Sequence, residues 1–159
     1  MRFDTKRSEI GELLYRLKFN SDRRVVTQIV DAVEKFMESW KPHVDVIVPV
    51  PPSSSRAIQP VLVLAEAISE RLCIPLADCV KRTREVPQLK NVYDFDERLR
   101  LLGGLHKIEP FGTEGKKILL FDDLYRSGAT MNSITDALYD QGGAADVFAL
   151  TITRTRSHR

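Results

Sequence analysis

Two adjacent carboxylates, Asp122 and Asp123, close an apolar run in "ILLFDDLYRSGAT", residues 118–130. Like charges side by side raise each other's energy unless a cation or hydroxyl donors offset them. A Mg²⁺ with its waters, or a sugar diol, would do so. The next stretch, Arg126-Ser127-Gly128-Ala129-Thr130, has the opposite electrostatic character. Successive backbone N–H groups, the Ser127 and Thr130 hydroxyls and the start of a helix surround one small volume there, which makes an anion site with phosphate as the natural occupant. Gly128 has no Cβ, so its backbone can approach a ligand closely. One molecule with a hydroxylated or metal-bound middle and a phosphate end suits both halves, and a phosphorylated ribose is such a molecule.

Other readings of the same residues stay open at this level. "ILLFDD" resembles a Walker B strand, but the chain contains no G-x-x-x-x-G-K-[ST], which counts against a P-loop enzyme. A phosphatase-type nucleophilic aspartate is formally allowed. In the blandest case the acids cap a helix and Gly128 makes a turn.

Elements of known type must hold these residues in place. From residue 44 onward buried β-branched runs alternate with helical patterns: strands at 44–50, 75–80, 116–123 and 145–153, and helices at 59–72 and 131–141, the last stopped by Gly142 and Gly143. This alternation predicts an α/β fold, a doubly wound and mainly parallel sheet whose ligands bind at the carboxyl ends of the strands. Ahead of it, Ser8 and Ser21 open two amphipathic helices within residues 8–40 that pack on the α/β core of residues 44–152. Residues 82–104 are polar, charged and without a clean period, as expected of a flexible loop, with a short helical piece around 96–101. "LHKI", 105–108, reads as a strand returning the chain to the sheet.

Composition sets the outer limits. The 159 residues suit one domain, 43% are hydrophobic, and 24 basic against 22 acidic residues give a net charge of +2. That balance makes no global case for nucleic-acid binding. Cys73 and Cys79 read as small hydrophobes, and His43, His106 and His158 have no partners at metal-ligand spacing. No segment has the pattern of a signal peptide or a membrane span, so the expected location is the cytoplasm.

The stretch 118–130 resembles the phosphoribosyl-pyrophosphate (PRPP) motif of type I phosphoribosyltransferases, a buried strand, two acids and a small-residue phosphate loop. "LLYRLKFNSDRR", "VIVPVPPSSSR" and "VKRTREVPQLKNVYDFDER" are similar, in that order, to blocks of the ComF-like subgroup. The resemblance implies a Mg²⁺- and PRPP-dependent transferase in which Asp122 and Asp123 contact the ribose hydroxyls, directly or through Mg-bound water. Arg126, Ser127, Gly128, Ala129 and Thr130 would then hold the 5′-phosphate. On the pyrophosphate side it implies the loop Ser53, Ser54, Ser55 and Arg56, together with Arg82, Arg84, Gln88 and Lys18. Tyr93, Phe95 and Trp40 are aromatic side chains that could stack on a base. A homodimer is common in the family. A non-catalytic PRPP or nucleotide sensor, and a competence-related factor acting on single-stranded DNA with a helicase partner, are the alternatives. The sequence departs from the subgroup in three ways. It lacks the cysteine-rich zinc-binding segment. It has "RAIQP" where R-G-F-N-Q is common, and "LLGGLH" lacks the usual Asn and aromatic residues. Arg126 departs from the wider motif, standing where a small hydroxyl residue is usual.

Overall fold

A computed structural model describes residues 7–86, 92–109 and 112–155. The first helix, α1 (Glu9–Asn20), starts where Ser8 Oγ accepts the Gly11 N–H at 3.2 Å. A single 3₁₀ turn (Arg23–Val25) leads into α2 (Val26–Trp40). Then follow β1 (Val46–Pro49), α3 (Pro60–Leu72), β2 (Val80–Arg82), α4 (Phe95–Leu102), β3 (His106–Ile108), β4 (Lys117–Tyr125), α5 (Ala129–Asp140) and β5 (Asp146–Arg154).

The main sheet is parallel in the order β1-β4-β5, with Val46 opposite Ile118 and Lys117 opposite Asp146. Strand residues alternate between faces, and the core divides accordingly. Ile47, Leu119 and Phe121 point to the face covered by α1, α2 and α3, among Leu17, Ile29, Val33 and Leu64. Val46, Val48, Ile118 and Leu120 point to the other, against Ile134 and Leu138 of α5. Each such aliphatic side chain contributes about 1.5–3 kcal/mol when fully buried. Helices on both faces of a parallel sheet make the doubly wound arrangement that the alternation predicts.

Two strand expectations need correction. Within 75–80 only Leu76 joins the main sheet, bridging Ile47, with Ile47 N–H donating to Pro75 O and Ala77 N–H to Ile47 O. Pro75 has no N–H to extend that ladder. The regular strand instead begins at Val80 and pairs antiparallel with β3, so "LHKI" forms a separate two-stranded ribbon rather than returning to the main sheet. The second correction concerns β4. It does not end at the aspartates but continues to Tyr125, because β5 runs beside it and pairs Asp122 with Thr151 and Leu124 with Thr153.

β1, by contrast, stops at Pro49, opposite Phe121. One more bond, from Val50 N–H to Phe121 O at 2.9 Å, closes that edge. Beyond it β4 pairs only with β5 among the described residues, which leaves a notch in the sheet at Asp122 and Asp123. The helical piece within 82–104 is α4, held at its start by Asp94, whose side chain accepts the Glu97 N–H at 2.8 Å.

Candidate functional site

Because Asp122 and Asp123 are neighbours on a strand, their side chains leave opposite faces of the sheet. Asp123 follows Leu119 and Phe121 to the side of α1, where its Oδ2 lies 2.6 Å from Lys18 Nζ. Both partners of this ion pair are largely buried, with side-chain exposures of 19% for Lys18 and 10% for Asp123, so the bridge is shielded from screening. Asp122 Oδ1 accepts the Asp123 N–H at 2.8 Å, which keeps its carboxyl close to that of Asp123. Burial first, and then the charge of Asp123, push the Asp122 carboxyl up to about 7.

The sign of the resulting pH dependence follows. Between about 4 and about 7 the folded chain keeps a proton on Asp122 that the unfolded chain releases, so this group lowers stability as pH rises through that window. Buried His106, pushed down to about 4 by burial and by Arg82, acts oppositely below its ordinary value. The comparison must therefore be made between variants. In urea unfolding, the stability of Asp122→Asn relative to wild type is expected to rise between pH 4.5 and pH 7.5. A difference that stays flat would refute the burial of a reluctant charge.

Beyond β4, Gly128 caps α5 in the left-handed region, at φ 81°, and the helix begins at Ala129, two residues earlier than the sequence pattern suggests. Gly128 brings no side chain to the cap, and Ser127 Oγ reaches only Ala129 N–H, at 3.4 Å. The first turn thus presents N–H groups and the positive end of a helix dipole to whatever lies beyond it. A Cβ on Gly128 would stand 2.7 Å from Tyr125 Oη, a contact that a shift of this exposed side chain can relieve, so it is the backbone conformation that favours glycine.

A cavity of about 320 Å³ joins these parts. Lys18, both aspartates and all of Arg126–Thr130 line it. On the side of the loop after β1 it is walled by Ser53, Ser54 and Arg56, and Arg82 reaches it from the ribbon. Arg56 donates to Lys18 O at 3.5 Å and lies over the Phe19 ring, which fixes that loop to α1. Most of the expected site residues therefore share one cavity. Ser55 is exposed and lies outside it. Arg84 is outside too, because its Nη2 donates to Leu101 O at 3.1 Å and Gly103 O at 3.0 Å and so ties down the end of α4. Gln88 lies outside the described residues. None of the stacking candidates lines the cavity. Tyr93 is 92% exposed, and Trp40 packs edge-on against Phe148.

Five cationic side chains, Lys18, Arg56, Arg82, Arg98 and Arg126, face the cavity against two carboxylates among the described residues. One carboxylate is already matched by Lys18. The surplus favours a ligand carrying several negative charges. Sequence reasoning assigned Arg98 no role. The signal available was its position four residues before Leu102 on one face of α4, a spacing that the surrounding charges obscure.

No group of three or more His, Cys, Asp or Glu side chains that could hold a metal ion occurs among the described residues. A resident metal does not fit this donor set. A Mg²⁺ that arrives on a ligand's phosphates does, since such ions keep waters and take only one or two protein carboxylates. Asp122 and Asp123 are the two carboxylates on the cavity that could meet such an ion.

No protein-family model matches the chain. It is 30% identical over 145 residues to the competence protein ComFC of Bacillus subtilis, an alignment covering 91% of this chain and 59% of ComFC. The chain thus spans about three fifths of that relative's length. Over 50 residues, 31% of this chain and 28% of the relative, it is 44% identical to the bifunctional protein PyrR of Citrifermentans bemidjiense. Among solved structures, adenine phosphoribosyltransferase from Saccharomyces cerevisiae superimposes with a TM-score of 0.57 at 12% identity, over 86% of this chain and 72% of that one. At such identity the likeness is one of fold.

Proposed function

From a chain that has the type I phosphoribosyltransferase fold and a ComF-like sequence, we propose a Mg²⁺- and PRPP-dependent phosphoribosyltransferase. The observation that carries this reading is the single cavity in which an acid pair, a glycine-capped helix N-terminus and an excess of cations converge. The 5′-phosphate lies against the amides of residues 126–130. The ribose hydroxyls face Asp122 and Asp123, and the diphosphate is met by Ser53, Ser54, Arg56 and Arg82. Lys18 holds Asp123 in place. Asp122 would be the protein contact of a Mg²⁺ carried on the diphosphate, an ion that would neutralise charge on the leaving group.

In the reaction the bond from ribose carbon-1 to the diphosphate oxygen breaks, and its electron pair leaves with pyrophosphate. A lone pair of the acceptor, such as a base nitrogen, forms the new bond to carbon-1, and the acceptor's proton passes to water. No covalent protein nucleophile is needed. The protein's part is to position the reactants and to keep its cations in a half-enclosed, low-dielectric space, where they act more strongly than in water.

The test is release of pyrophosphate from PRPP and Mg²⁺ across a panel of purine and pyrimidine bases. Turnover with at least one base supports the transferase. Tight PRPP binding without turnover for any base assigns the chain to the sensor class instead. The similarity to ComFC along 91% of the chain favours a second reading, a competence-related role with single-stranded DNA and a helicase partner. Salt-dependent binding of single strands tests it, and no affinity at low salt rejects it. Among the described residues no helix is long and apolar enough to cross a membrane.

A further inference from the structure

We propose that Arg98 is the counter-cation of the phosphate cradle at residues 126–130, so that α4 takes part in recognising a terminal phosphate monoester. This rests on the reading that the cavity binds a phosphorylated ribose, and it names a residue and an element that the cradle motif does not contain.

The packing of α4 sets up the contact. Leu102, one turn after Arg98 on the same helical face, is buried with Leu105, Val86 and Ala129, and Ala129 is the first residue of α5. The helix is secured at both ends, by Asp94 accepting the Glu97 N–H and by Arg84 donating to the Leu101 and Gly103 carbonyls. Arg98 is thereby held facing the same cavity as Arg126, Ser127 and Gly128.

The electrostatics there are unfinished. Arg98 Nε is buried and has no hydrogen-bond partner among the described residues. The guanidinium is destabilised by its burial and by the like charge of Arg126. Elsewhere the chain pairs its arginines readily: Arg71 lies 2.7 Å from Asp31 and 2.9 Å from Glu34, and Asp22 takes both Arg16 and Arg24. Asp96 and Glu97 stand next to Arg98 in sequence, yet neither is paired with it. Two arginines beside an amide-lined turn, one with a buried and unpartnered Nε, favour an anion between them. A phosphate monoester presents three terminal oxygens and up to two charges, and the planar guanidinium fork matches that geometry. Arg98 is anchored on the α5 side, beside the cradle. Arg56 and Ser54 line the cavity from a different element, the loop after β1.

The test is calorimetric titration of the full chain with three probes: Mg–PRPP, ribose 5-phosphate, and inorganic pyrophosphate with Mg²⁺. Arg98→Gln is expected to weaken Mg–PRPP and ribose 5-phosphate by a similar factor, roughly 10- to 100-fold. Pyrophosphate affinity is expected to stay unchanged. Arg98→Lys, which keeps the charge and loses the fork, should fall between that variant and wild type, and it serves alone if the glutamine variant does not fold. Wild-type affinity for ribose 5-phosphate in either variant overturns the proposal, as does a loss confined to pyrophosphate. Wild-type protein that binds neither sugar phosphate overturns the phosphoribosyl reading itself, and the role of Arg98 with it.

Discussion

Replacing Asp122 and Asp123 together by asparagine is expected to remove the calorimetric response to Mg–PRPP, a fall in affinity of at least about 100-fold. In the proposed complex the pair would accept hydrogen bonds from sugar hydroxyls or metal-bound water, and hydrogen bonds to charged groups are worth about 1.5–3 kcal/mol apiece. The two substitutions differ in their cost to the fold. Asp123→Asn strands the largely buried ammonium of Lys18, which sits 2.6 Å from the carboxylate it loses. Asp122→Asn removes a charge that burial already opposes. Stability should therefore drop for the first single variant and hold or rise for the second at neutral pH, while binding drops for both. Full wild-type heat in the double variant would eliminate the acid pair from the site.

Gly128→Ala is expected to be the most damaging single methyl group that can be added to the site. At φ 81° an L-residue costs about 1–2 kcal/mol, and the new Cβ would stand 2.7 Å from Tyr125 Oη and 3.2 Å from the ring. The Tyr125 side chain is 42% exposed and can swing away, so that contact is relieved at a cost smaller than a core clash. Urea midpoints separate the two effects. Adding Tyr125→Ala to Gly128→Ala should recover the part due to contact and leave the backbone part. Affinity for ribose 5-phosphate should stay at least about 10-fold down in both variants, because the strain falls on the turn that aims the amides. An alanine variant with unchanged stability and affinity would show that this turn needs no glycine.

The sequence carried the parts of the site that are local and lost those set by packing between distant segments. Asp122 to Thr130 are contiguous, and the glycine and the small hydroxyl residues state their chemistry wherever they occur. The alternation of strands and helices was equally legible, since period-2 and period-3.6 burial are written into each segment. The end of β4 was not. The aspartates look like a terminus because charge ends an apolar run, yet Thr151 and Thr153, some thirty positions away, keep the ladder going. The strand expected at 75–80 was divided for a similar reason: Leu76 has a partner in Ile47, whereas Val80 finds one in Ile108. Arg84 and Arg98 look alike in a charged stretch. Only the position of α4 against α5 decides that one ties down carbonyls while the other faces the cavity.

The Lys18–Asp123 bridge has a consequence for what the cavity will admit. An ammonium tethered 2.6 Å from the carboxylate competes for it at a very high effective concentration. A free divalent ion or a neutral sugar that sought the paired oxygen of Asp123 would have to compete with that tethered rival. A guest that offers the displaced ammonium a fresh phosphate oxygen while giving its hydroxyls to the acid suffers no such handicap. On the proposed reading, the lysine of the first helix would favour molecules in which anion and diol arrive together.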